Sequence, residues 1–362
     1  METEHYINEE RMPKLFTNLG MQLTRRCNLK CKHCCQGGFD RTPVMDTDMA
    51  VRFVKDASKI GCEQIGITGG EVFLEKELLS LVVDECSQQG LRCTVLTSAY
   101  WGKSRAKARA ILGNLPGITT LAISYDTWHA EFVSNDKIVY AVEAALEAKK
   151  NVSICSAFLK DGKEKQISWL RNMLGDDLVD AVDLKLQPVL LHGDAEDNFT
   201  QCELFQYDLW STRCTAAHKP LLAPDGTIYA CCGASQDISG DHFLNLGSFR
   251  EEALDSIKNR AEENMALHAV RVDGPGRLAQ EIGLASKLNI EPKDICEICT
   301  TCCTHYSSSQ INTQLEKNQD YMRSIAVKQL WYEGSVDSFL RVQQTERSIP
   351  PNPGHHKTID RS

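Results

Sequence analysis

Cys27-Asn28-Leu29-Lys30-Cys31-Lys32-His33-Cys34 places three cysteines within one short stretch, directly after the apolar run at 21–24. Further on, Thr68-Gly69-Gly70-Glu71 closes a second short apolar run at 64–68. Three thiolates in one loop can take three corners of an iron-sulfur cube and leave the fourth iron open to a small chelating molecule. A structural zinc site instead wants four protein ligands in a closed tetrahedron, which His33 or Cys35 would complete.

Outward from these two stretches the chain alternates. Strands are expected at 21–24, 64–68, 91–97, 120–124, 152–158 and 182–189, with helices at 47–60, 76–89, 104–112, 136–150 and 164–174 between them. In 47–60 the residues Ala50, Val51, Val54 and Ala57 recur at helical spacing. Six strand-helix units in series predict an α/β fold, a parallel sheet or partial (βα)6 barrel with right-handed crossovers. Chemistry then collects where the βα loops leave the C-terminal ends of the strands, which puts both quoted stretches at one mouth.

After Leu191 the rhythm breaks. Pro224-Asp225-Gly226 is a turn signal ahead of 227–231 and predicts a small hairpin. A helical stretch at 249–272 follows, then the cysteines of 296–303, a helix through Leu340, and a Pro/Gly/His-rich tail at 350–362. His355 and His356 in that tail read as a solvated end. The expected division is a lead-in at 1–20, a core at 21–200, a cysteine-rich α+β extension at 201–310 and a helical C-terminal segment at 311–362.

The composition narrows the classes. With 42% hydrophobic and 25% charged residues the chain is globular. The 40 basic and 49 acidic residues leave a net charge of −9, which argues against a general nucleic-acid binder. No run is long and apolar enough for a membrane span or a signal peptide, so a cytoplasmic protein is expected. The sixteen cysteines then read as metal ligands and reactive thiols rather than disulfides. Eleven fall in three groups: Cys27, Cys31, Cys34 and Cys35; Cys214, Cys231 and Cys232; Cys296, Cys299, Cys302 and Cys303. Cys62, Cys86, Cys93, Cys155 and Cys202 stand alone and read as small buried hydrophobes.

The CxxxCxxC spacing after a first strand, followed by the Gly-Gly-Glu that ends a second, closely resembles the radical SAM enzyme superfamily over roughly residues 17–190. The resemblance implies a 4Fe-4S cluster that reductively cleaves S-adenosyl-L-methionine to a 5′-deoxyadenosyl radical, which abstracts a substrate hydrogen atom. Such an enzyme draws its electron from a donor such as a flavodoxin or ferredoxin. Carried over by position, Cys27, Cys31 and Cys34 are the cluster ligands. Gly69, Gly70 and Glu71 receive the methionyl ammonium, a task for which a carboxylate is suited; a helix-start carboxylate is the alternative for Glu71. Ser124 and Asp126, in Ile123-Ser124-Tyr125-Asp126, match the ribose and methionine-carboxylate contacts. With the fourth strand so placed, Asp126 and His129 face the same mouth, either to touch substrate or to hydrogen-bond within the loop. Thr97-Ser98-Ala99 stands where relatives often read Thr-Asn-Gly.

The segment Pro224 onward to Cys231 resembles the start of the SPASM and twitch extensions, which bind one or two auxiliary 4Fe-4S clusters. No cysteine follows Cys303, so one auxiliary cluster is expected, held by Cys214, Cys231 and two or more of Cys296, Cys299 and Cys302. A zinc ribbon is the alternative. Cys232 and Cys303 are then spare thiols, candidates to return a hydrogen atom to a substrate radical.

Relatives with such extensions mostly modify ribosomally made peptides, by epimerisation or cross-linking, or oxidise small polar molecules. Residues 1–20 leave no room for a leader-peptide recognition domain, which weakens the peptide reading without removing it. The resemblance points first to a radical SAM oxidoreductase acting on a peptide. A dehydrogenase or epimerase of a sugar, aminocyclitol or nucleoside stands second, and a zinc-stabilised binding module without catalysis is the reading from another class. His192 and Asp194, after the sixth strand, are candidates for the substrate mouth.

Overall fold

A computed structural model describes residues 12–36, 40–160, 162–287 and 292–333. The strands are β1 (Asn18–Thr24), β2 (Gln64–Gly69), β3 (Arg92–Thr97), β4 (Thr120–Ser124), β5 (Asn151–Phe158), β6 (Asp183–Pro188), β7 (Leu221–Leu222), β8 (Thr227–Tyr229) and β9 (Asn245–Ser248). Helices α1 (Thr47–Lys59), α2 (Lys76–Gln88), α3 (Arg105–Gly113), α4 (Asn135–Glu147) and α5 (Lys163–Leu174) fill the crossovers between β1 and β6, the last with α6 (Asp176–Asp180). After β6 come α7 (Asp194–Asn198), α8 (Leu254–Glu262), α9 (Met265–Val272), α10 (Pro275–Glu281), α11 (Leu284–Lys287), α12 (Ile295–His305), α13 (Ser308–Glu316) and α14 (Gln319–Glu333).

The sheet runs β6-β5-β4-β3-β2-β1-β7-β8-β9 and does not close, as expected of a partial barrel. Its first six strands are parallel because each helical crossover returns the chain in the same direction. Register explains the core. Met21, Ile67, Val95, Leu121 and Val152 stand opposite one another across five strands, and all are buried in the main apolar cluster with Ala50, Phe53 and Val54 of α1. The opposite face carries smaller and more polar residues, among them Gln22, Thr68, Thr94 and Ser124. Asp46 starts α1 by accepting from the Met49 N–H at 2.9 Å, which satisfies an end donor that the helix cannot pair itself.

The extension is built onto the barrel sheet. β7 pairs with β1 in parallel, and the β7-β8 hairpin, turned at Gly226 (φ +95°), continues the sheet antiparallel to β9. Asp225 Oδ1 accepts from the Thr227 N–H at 2.9 Å inside that turn.

Three differences from the sequence expectation concern helices and burial. The 249–272 stretch is two helices broken around Asn264, whose side chain accepts from the Leu267 N–H at 3.0 Å and starts the second. The cysteines of 296–303 lie on a helix, α12. Cys202 is exposed, unlike Cys62, Cys86 and Cys93, because it sits in a short turn among polar neighbours. The expected helix up to Leu340 is described as far as Glu333; the 350–362 tail with His355 and His356 lies outside the described residues. Among the described residues no helix is long and apolar enough to cross a membrane.

Candidate active site and second cysteine site

The first cysteine loop leaves β1 and is framed by main-chain bonds. Arg25 N donates to Pro43 O at 2.9 Å and Met45 N to Leu23 O at 2.8 Å, so residues 43–45 run back along the strand end. The exit of β2 lies against the same backbone. Gly70 N donates to Thr24 O at 2.8 Å and Glu71 N to Arg26 O at 2.7 Å. A Cβ on Gly69 would lie 2.3 Å from Thr24 O, and one on Gly70 2.2 Å from Arg26 O. The paired glycines are therefore required by close approach: they let the β2 exit press on the chain that leads into Cys27.

Within the loop, Cys34 N donates to Cys31 O at 3.1 Å and Leu29 N to Cys27 Sγ at 3.4 Å. Burial pushes the Cys27 and Cys31 thiols upward, and the neighbouring Cys34 raises both further. Two desolvated thiols beside Cys34, all of which would repel one another as thiolates, form a donor set that a cationic metal group would complete. His33, beside Cys34, adds a second sign of fit. Its Nε2 lies 3.2 Å from Asp126 Oδ2, while Nδ1 is buried with no hydrogen-bond partner.

Glu71 is fully buried at the foot of this mouth. Its oxygens accept from Thr97 Oγ1 (2.7 Å), Ser98 N (2.8 Å), Ser98 Oγ and Phe73 N (3.2 Å). The carboxylate expected to receive an ammonium thus has its oxygens engaged by the β3 exit. Burial nonetheless raises its pKa, with those hydrogen bonds opposing. Asp126 is similarly engaged. Oδ1 meets His129 Nδ1 at 2.9 Å and accepts from the Trp128 and His129 N–H groups; Oδ2 meets His33 and the Ala157 N–H at 3.3 Å. Despite burial, the two histidines hold the Asp126 carboxyl well below the usual carboxylate range. Ser124 lies at the end of β4, half-buried, where the sequence reading placed it.

The second site draws on three segments. Cys214 precedes β7, Cys231 and Cys232 follow β8, and Cys296, Cys299, Cys302 and Cys303 lie on α12. Burial lifts the Cys214 thiol to about 12, and Cys231 and Cys232 raise it as well. Burial raises Cys296 and Cys299 most; Asp294, Cys214, Cys231 and Cys232 then add to Cys296, and Cys303, Cys302, Cys214 and Cys231 to Cys299. The three segments converge. On a helix of 3.6 residues per turn, Cys296, Cys299 and Cys303 fall within about 60° of arc, while Cys302 lies roughly 120° round from Cys296. Cys302 is fully buried, and burial alone raises it to about 12.

Cys35 and Cys232 are exposed as residues, yet burial of the Cys35 thiol itself, then Cys34 and Cys232, raise that thiol to about 12. Gln36 Nε2 donates to Cys232 O at 3.4 Å. The segments that carry Cys35 and Cys232 therefore lie beside each other, whereas Cys303 is buried.

Several residues here carry no motif. Arg41 reaches Leu29 O at 3.0 Å and Asp194 Oδ2 at 2.9 Å. Asp294 caps α12, accepting from Glu297 N at 2.9 Å, and also accepts from Leu191 N at 2.8 Å. The Asp-x-x-Glu spacing of 294–297 was the available signal for that helix start.

Residues 21–162 match the sequence model of the Radical SAM superfamily. The chain is 25% identical over 310 residues to YydG of Bacillus subtilis (strain 168), whose name refers to peptide biosynthesis; the match spans 81% of this chain and 92% of that one. It is 24% identical over 184 residues to the GTP 3',8-cyclase of Clostridium perfringens (strain 13 / Type A), spanning 47% of this chain and 55% of the cyclase. Among solved structures it is similar to native anSMEcpe with bound AdoMet and Cp18Cys peptide, at 12% identity and a TM-score of 0.49, covering 93% of this chain and 100% of that chain.

Proposed function

We propose that this chain, whose residues 21–162 form a radical SAM domain, modifies a ribosomally made peptide at a C–H bond. The observation that carries this reading is the extent of the YydG match. At 81% of this chain and 92% of the relative it cannot stop at the barrel, whereas the cyclase match spans 47% and 55%.

When bound, a 4Fe-4S cluster with S-adenosylmethionine would supply reductive cleavage to a 5′-deoxyadenosyl radical. The protein holds, orients and shields. Cys27, Cys31 and Cys34 are the ligands of the first cluster. Gly69 and Gly70 hold that loop against the β2 exit, and Glu71 locks the β2 and β3 exits together. His33 keeps its buried Nδ1 free to accept from a bound molecule, with Asp126 and His129 fixing the ring from the other side. Ser124 lies at the same mouth.

Cys214, Cys231, Cys296 and Cys299 are the ligands we assign to one auxiliary cluster. Cys232, exposed and facing the first loop, is the thiol placed to return a hydrogen atom if the outcome is epimerisation. A small one-electron protein such as a flavodoxin or ferredoxin supplies the electron, and the protein works in the cytoplasm. Core and extension, divided near residue 200, act as one unit because β7 continues the barrel sheet.

Co-expression with a short peptide encoded beside the gene, followed by mass spectrometry in deuterated medium, tests the substrate class. Loss of two hydrogens, or uptake of one solvent deuterium, supports the peptide reading. An unchanged peptide, together with turnover of a nucleoside or sugar, supports the small-substrate reading that the cyclase likeness favours.

A further inference from the structure

Four consecutive residues after β6 touch three different elements. Leu191 N donates to Asp294 Oδ2 at 2.8 Å, at the start of α12. His192 Nε2 lies 2.8 Å from Asp237 Oδ2, just beyond the Cys231-Cys232 segment. Gly193 adopts φ +64°, and a Cβ there would lie 2.6 Å from Cys34 O and within 3.0 Å of the Cys35 backbone. Asp194 N donates to Cys34 O at 3.0 Å, while its carboxylate pairs with Arg41, which also holds Leu29 O.

We infer that the strap at 190–194 fixes the two cysteine sites relative to each other, with Gly193, Asp194 and Asp294 as its positioning residues. The geometry leaves little slack. A backbone donor and acceptor join strap and first loop directly, in a conformation that favours glycine. A capping carboxylate ties the same strap to the helix that carries Cys296 and Cys299. Asp294 serves both partners at once, one oxygen on the α12 start and the other on the strap. A displacement of α12 is thereby passed to the Cys34 carbonyl through three residues of chain. This inference rests on the reading that both cysteine sites hold iron-sulfur clusters.

The test uses the full chain, reconstituted anaerobically with iron and sulfide, reduced with dithionite and examined by electron paramagnetic resonance with and without S-adenosylmethionine. The part of the signal that responds to S-adenosylmethionine belongs to the first cluster. Asp294→Ala, at the α12 end of the strap, is expected to shift the g-values of this part while iron per chain stays at the wild-type level. Thr304→Ala, at an exposed position on the same helix, is expected to leave it unchanged. A folded, fully loaded Asp294→Ala protein with the wild-type signal would overturn the inference. Should Asp294→Ala not fold, Gly193→Ala examines the strap from its other end, and an unshifted signal there overturns it equally. Wild-type protein that shows no iron-sulfur signal contradicts the functional reading itself, a result distinct from unshifted variants.

Discussion

Thr97 Oγ1 donates to Glu71 Oε1 at 2.7 Å and ties the exit of β3 to the exit of β2. With Ser98 and Phe73 completing the shell, removal of the carboxylate strands several buried donors. Glu71→Ala is expected to lower stability by roughly 3 kcal/mol, the scale for orphaned buried polar partners. Glu71→Gln, which keeps one acceptor, is expected to lose less. Urea unfolding of both variants measures this, and equal stability of Glu71→Ala and wild type would refute the role.

The helix geometry of α12 separates its cysteines. Cys231→Ala and Cys299→Ala are expected to cut iron per chain to about half, from two clusters to one. Cys302→Ala is expected to retain all of it, at a packing cost of about 1 kcal/mol. Iron and sulfide assays on the purified variants decide this. Loss of iron in Cys302→Ala with full loading of Cys299→Ala would reverse the assignment.

Much of this was readable beforehand, for a physical reason. In the barrel, rows such as Met21, Ile67 and Val95 are apolar on strands separated by helices whose apolar residues recur at helical spacing, so local pattern and tertiary packing agree. The β7-β8 turn announced itself through Pro224-Asp225-Gly226, whose side-chain and backbone preferences are local. The α12 helix did not, because cysteine is a weak helix former and its clustered spacing signals metal ligation rather than helix. The partners of Glu71 and Asp126 were also hidden. Thr97, Ser98 and His33 reach them across sequence gaps that no spacing encodes. The strap is of the same kind, since nothing local in Leu191-His192-Gly193-Asp194 names Asp294 or Cys34.

Asp126 binds two histidines, and its loss is expected to loosen His33 beside the first cluster. Asp126→Asn is expected to weaken S-adenosylmethionine binding about tenfold, the scale of one charged hydrogen bond. Equilibrium binding to the reconstituted protein measures it; unchanged affinity would separate His33 from the bound molecule.

The His192 contact gives a pH signature. Asp237 raises the His192 pKa above its ordinary value. A raised folded-state pKa adds stability that is fully present below the unfolded value of about 6.5 and is lost as pH rises through the folded value. Asp237 is 39% exposed on its side chain, so the effect is expected to be no more than about 1 kcal/mol. Thermal unfolding between mildly acidic and mildly alkaline pH is expected to show it in wild type and to lose it in Asp237→Asn. An identical pH dependence in the two proteins would remove the ion pair from the account.

The central claim is that Cys27, Cys31 and Cys34 hold a cluster that cleaves S-adenosylmethionine. The most direct measurement is 5′-deoxyadenosine formation by anaerobically reconstituted protein supplied with S-adenosylmethionine and dithionite. Wild type is expected to form 5′-deoxyadenosine and Cys31→Ala to form none. Protein that purifies with zinc, takes up no iron and forms no 5′-deoxyadenosine, or a Cys31→Ala variant that turns over like wild type, would contradict it.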